Sequence, residues 1–186
     1  MNKLKKRYIF AIVLLITIIV SSMFVKIYNE KCYWQRQAAN HNYFHWAEIY
    51  NMIFEIEKTN FTKEGIQKIY PYINAKVYSS EEYLSPVFGG ASNTSSFLKT
   101  YYNSLALDIS ASQKFDSEKL QLAIDLFEEA TNELKEISLT ILEMAEDPQN
   151  RLELINTDSE IYKQAYKMTM EYSKEYSERI KNFYTD

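Results

Sequence analysis

The chain reads as an all-α protein: a single N-terminal membrane-spanning helix followed by an antiparallel, four-helix-like bundle. Three observations predict this. An uncharged apolar run covers Tyr8–Val25 behind a basic head, Lys3, Lys5, Lys6 and Arg7. Only three glycines and three prolines occur in 186 residues, too few for the turns that sheet proteins need. The rest of the chain repeats apolar side chains at three- and four-residue steps.

At about 1.5 Å per residue, Tyr8–Val25 forms a helix of roughly 27 Å, the thickness of a bilayer's hydrocarbon core. We divide the chain into a cytoplasmic basic head (1–7), an anchor (8–28) and an extracytoplasmic helical domain (29–186) with an irregular insert at about 63–96. The cations ahead of the span place the N-terminus in the cytoplasm. A cleaved signal peptide is the competing reading, with Val20-Ser21-Ser22 before the cut. Met23, Phe24 and Val25 carry the apolar run past that point and favour the uncleaved anchor.

No Gly or Pro occurs before Gly65, so the span is expected to continue into a helix over 30–58. Its expected apolar face is Ala39, Tyr43, Trp46, Tyr50 and Ile53, flanked by Ala47, Phe54 and Ile56. Thr62 caps a short helix from Lys63, which should end or kink at Pro71. Ser79-Ser80-Glu81-Glu82 opens at most a turn before Pro86. Leu84–Ser96 holds two of the three glycines and reads as a loop. A helix then runs from Asn93 to about Ala111, with Phe97, Tyr101, Leu105 and Ile109 at steps of four. Asp116 caps the next, which reaches about Glu146 through Leu120, Ile124, Phe127, Leu134, Ile137, Ile141 and Met144. Asp147-Pro148 stops it, and Pro148 begins a short helix through Ile155. Thr157-Asp158-Ser159-Glu160 has the form of a capping box and launches the last helix, with Ile161, Ala165, Met168, Tyr172, Tyr176, Ile180 and Phe183 along one face. None of these faces can be buried alone, so the helices must associate.

Charge is divided unevenly. Residues 1–28 hold five cations and no acid, leaving 16 basic against 25 acidic residues, a net −9, for the remainder. An acidic domain argues against nucleic acid as a partner. The 16 tyrosines suit amphipathic packing, ring inside and hydroxyl in water.

Two places could carry chemistry. His41, His45 and Glu48 fall on one helical face, a spacing that can hold a transition metal, although it is not the zinc-protease pattern. Cys32, the only cysteine, lies just beyond the span, where two parallel anchors would bring their copies into an interchain disulfide. Asn60-Phe61-Thr62 and Asn93-Thr94-Ser95 match the glycosylation acceptor pattern of eukaryotic secretion. No phosphate loop, dinucleotide fingerprint, cysteine zinc cluster, calcium loop or Gly-x-Ser-x-Gly elbow is present, so neither an enzymatic activity nor a cofactor is expected. The expected role is a membrane-anchored interaction module that binds a protein partner or a second copy of itself. The alternative is a ligand-sensing bundle. Its layout is similar to the periplasmic sensing bundles of chemoreceptors, but departs from them in having no second span after Phe183 and no output domain.

Overall fold

A computed structural model describes residues 3–79, 89–111 and 115–185. Their regular elements are all helical: α1 (Lys3–Glu57), α2 (Lys63–Ser79), α3 (Gly89–Phe97), a π turn (Leu98–Tyr102), α4 (Asn103–Ala111), α5 (Ser117–Met144), α6 (Pro148–Glu153) and α7 (Glu160–Thr185). The fold is all-α. The chain divides into two compact units, Met1–Ala38 and Ala39–Asp186.

In the first unit, every side chain from Tyr8 to Tyr28 is exposed, and this is a helix long and apolar enough to cross a membrane. Its polar side chains turn back on the backbone. Thr17 Oγ1 donates to the Val13 carbonyl at 2.9 Å, and Ser22 Oγ to the Ile19 carbonyl at 2.8 Å. Neither hydroxyl therefore needs a partner from a surrounding apolar phase.

In the second unit, α2 packs on α4, α3 on α7, and α5 on both α4 and α7. The core is aromatic. Phe127 meets Tyr102 with ring centroids 4.6 Å apart, and Phe97 meets Tyr172 at 5.1 Å. The buried tyrosines correct the expectation of wetted hydroxyls, because their O–H groups find protein partners. Tyr102 OH and Thr131 Oγ1 lie 2.6 Å apart, Tyr172 OH donates to the Ala130 carbonyl at 2.9 Å, and Tyr176 OH donates to Glu133 at 3.0 Å. Burial raises all three phenols above their ordinary value of 10.0.

Several local expectations are met. Asp116 accepts from the Lys119 amide at 2.8 Å and Thr62 Oγ1 from the Gly65 amide at 3.1 Å, each satisfying a free amide of a first turn; Asp147, not expected as a cap, accepts from the Gln149 amide at 2.7 Å in the same way. At α7 the helix starts where expected, but the cap is Ser159, whose Oγ accepts from the Tyr162 amide at 3.0 Å.

Others are corrected. Helix α2 continues through Pro71 to Ser79. Proline costs the hydrogen bond to the carbonyl four residues back, yet both Pro71 and Gln67 face solvent, where water can satisfy that carbonyl. On the other face Ile66, Ile73 and Val77 are fully buried and hold the helix together. Residues 63–79 thus form a regular helix with one buried face. The expected loop at Leu84–Ser96 is helical from Gly89 onward; residues 80–88, with the cap expected at Ser79–Glu82, lie outside the described residues. On α1 the buried face is Ala39, Asn42, His45, Trp46, Ile49, Met52, Ile53 and Ile56, steps of three and four turned away from Tyr43, Tyr50 and Phe54. On α3–α4 the buried ring after Phe97 is Tyr102, not Tyr101, because the π turn adds one residue to the step.

Gly65 has no room for a side chain. A Cβ there would lie 2.6 Å from both Thr59 Cβ and the Thr59 carbonyl oxygen. The Thr59 backbone is held in turn by Asn60 and Phe61, both at φ 48°. Gly65→Ala is expected to destabilise the fold by about 1–3 kcal/mol, read as a lower midpoint in urea unfolding.

Candidate functional site

The expected metal ligands all lie on α1, but in different surroundings. His41 is exposed, His45 is buried at 5 % exposure and Glu48 is exposed. Among the described residues no three His, Cys, Asp or Glu side chains are placed to hold a metal ion. The structure therefore does not assemble His41, His45 and Glu48 as a ligand set. Cys32, in the first unit, is a partly exposed free thiol.

The same residues nevertheless shape a hollow. A depression of about 90 Å³ is lined by His41, Phe44, His45 and Glu48. A smaller cavity of about 10 Å³, the size of a single water, is lined by His45, Glu48, Ile49, Met52, Lys76, Val77 and Leu98. His45 and Glu48 belong to both. The floor comes from three elements: α1, the last turn of α2 and the first residue of the π turn. Ile49, Met52, Val77 and Leu98 are buried and make it apolar. Lys76 Nζ stands 3.8 Å from Glu48 Oε1, a loose and half-exposed ion pair that contributes little to stability.

His45 Nε2 is buried with no hydrogen-bond partner. Burial pushes its imidazole down from 6.5 to about 4, since the charged form is the one that desolvation penalises, and the ring is neutral at pH 7. Asn42 Oδ1, one turn earlier on the same buried face, also lacks a partner. Buried polar atoms without partners are few in folded proteins, and each calls for an explanation. Neither Asn42 nor the contributions of Lys76, Val77 and Leu98 carried any signal in the sequence, since they depend on how α2 and the π turn pack on α1.

A larger open depression of about 330 Å³ lies beside the start of α5, lined by Asp116, Glu118, Lys119, Leu122 and Phe183. Its polar groups have structural work. Asp116 caps α5, and Lys119 Nζ sits over the Phe183 ring, 5.3 Å from its centroid. The hollow at His45 is therefore the better candidate.

Comparison of the chain with protein-family models, with curated proteins and with solved structures gave no match.

Proposed function

We propose that this chain is a membrane-anchored binding module. Residues 8–28 hold it in the bilayer with the N-terminus in the cytoplasm, and the acidic helical unit stands outside to bind a protein partner or a second copy. The observation that carries this reading is the long, fully exposed apolar segment of α1, which water would not tolerate in isolation. Four cations before the segment and none within it favour the orientation. A binding role, not a catalytic one, is in keeping with the absence of catalytic motifs from the sequence.

Protease treatment of intact cells tests the topology. The helical unit is expected to be digested from outside, leaving a short fragment that contains the span. A unit that survives in intact cells but is cut after lysis would reverse the orientation. Affinity purification of the full chain from solubilised membranes, compared with a chain lacking residues 1–28, would then isolate partners that depend on the anchor.

A second reading, a ligand-sensing bundle acting through a membrane partner, is favoured by one specific observation. A hollow of about 90 Å³ is lined by His41, Phe44, His45 and Glu48, room for a small solute.

A further inference from the structure

Given the membrane-anchored reading, on which this inference rests, we propose that residues 26–36 form a collar that binds anionic phospholipid headgroups. Tyr28, Tyr33 and Trp34 take the boundary between headgroups and hydrocarbon, and Lys26, Lys31 and Arg36 take the lipid phosphates. All six side chains are exposed and lie in the first compact unit, and each of the three rings is more than half exposed. Tyr and Trp, apolar with one polar tip, are enriched where a helix leaves a bilayer.

Their order along α1 argues against a partner on one side. A partner helix is met by a stripe at steps of three and four. Here the steps are of five: Lys26, Lys31 and Arg36, and again Tyr28 and Tyr33. At about 100° per residue a step of five turns by about 140°, so the three cations encircle the helix. Tyr28, Tyr33 and Trp34 encircle it too, with gaps of about 100–140° between neighbours. Groups facing every direction suit a medium that surrounds the helix.

Depth agrees. A hydrocarbon core of about 30 Å takes about twenty helical residues, which ends it near Ile27 when it starts at Tyr8. The backbone at Trp34 is then about 10 Å further along. Long helical side chains lean towards the N-terminus, here towards the bilayer, so the indole and the stems of Lys31 and Arg36 reach back into a headgroup layer about 5–8 Å deep. Charge agrees as well. Residues 26–36 carry three cations and one acid, Glu30, a net +2, whereas residues 37–186 hold 14 basic and 24 acidic residues, a net −10. Cationic charge beyond the span is thus concentrated beside it, where Lys and Arg are drawn to anionic headgroups.

The experiment reads Trp34 by fluorescence. The chain has two tryptophans, and the other, Trp46, is buried. Subtracting the emission of Trp34→Phe from that of the wild-type full chain isolates Trp34 without touching the core. Both are reconstituted in vesicles of phosphatidylcholine and phosphatidylglycerol, and flotation after a carbonate wash checks insertion. Nitroxide at the fifth acyl carbon is expected to quench Trp34 at least about twofold more than nitroxide at the twelfth, as for a ring at the interface. At low salt, phosphatidylglycerol with the shallow label should quench about two- to fivefold more than phosphatidylcholine with the same label. That preference should vanish in Lys26→Gln/Lys31→Gln/Arg36→Gln; should this variant fail to insert, high salt should remove it from the wild type. A chain that floats while Trp34 feels no lipid label overturns the collar and leaves the anchor standing. A Trp34 quenched neither by lipid nor by aqueous iodide is covered by a protein partner or a second copy, which also overturns it. Strongest quenching from the twelfth carbon, or equal quenching by the two lipids, overturns the assignment to anionic headgroups. A chain that does not float removes the anchor itself.

Discussion

Lowering the pH from 7 towards 4 is expected to cost the folded unit about 3 kcal/mol through His45 alone. In the unfolded chain this imidazole takes up its proton near 6.5, whereas in the fold burial delays that until about 4. Between those values the unfolded state binds more protons, so stability is fully present above pH 6.5 and drains away as the pH falls towards 4. The charged groups facing the ring are Glu48 on its own helix and Lys76 from α2; His41 shares the outer hollow. Carboxylates elsewhere also titrate in acid, so the measurement is a difference. Urea unfolding of the wild type and of His45→Gln, followed across pH 4 to 8 by tyrosine and tryptophan fluorescence, should give stability curves that converge or cross in acid. Curves that stay parallel would mean that His45 is charged or solvated in the fold.

Phe127→Ala is expected to be the most damaging single truncation in the core, at about 3–5 kcal/mol. The ring is fully buried on α5 and joins separate parts of the fold. It packs on Tyr102 of the π turn at 4.6 Å and on Phe61 of the α1–α2 connection at 6.4 Å. Loss of the ring opens a cavity bordered by Tyr102, whose hydroxyl must stay paired with Thr131. Guanidinium unfolding should show a lower midpoint, with circular dichroism in buffer unchanged if the variant still folds. Tyr172→Phe is the milder control: it keeps the ring contact with Phe97 and removes only the hydrogen bond to Ala130.

Where capping chemistry and periodicity agree, as at Thr62 and Asp116, the sequence alone locates helix starts, because each cap is a local bond between neighbours. The errors arise where tertiary packing overrides a local rule. Pro71 signals a break, but three buried aliphatic side chains on the opposite face keep α2 intact. The composition of Gly89–Ser96 signals a loop, yet Thr94 and Ser95 are buried, and small side chains let α3 lie close against α7. On α1, Ala39, Trp46, Ile53 and Ile56 are buried as expected, but Tyr43, Tyr50 and Phe54 read as core residues on hydropathy alone, whereas the polar Asn42 and His45 take the buried places. The candidate site shows the same limit. Its α1 members stand out at a spacing of four and three, but nothing in that spacing tells that His45 enters the seam with α2 while His41 stays in water. Lys76, Val77 and Leu98 join it only through tertiary packing.

The π turn at Leu98–Tyr102 bears on how this chain tolerates insertions and deletions. One added residue in an α-helix swings everything beyond it by about 100°, and here that offset is confined to a single wide turn. Upstream, α3 keeps its contact with α7; downstream, α4 presents Leu105, Ala106 and Ile109 as buried positions and packs on α2. A one-residue deletion within 98–102 would close the turn into regular α-helix and keep α4 in phase with α2, whereas a deletion within the regular turns of α3 would rotate α4 by about 100°. A deletion at the exposed end of α4 would leave that phase untouched. The wide turn therefore stores one spare residue, and it is the place along α3–α4 where the chain can lose a residue without turning a buried face outward.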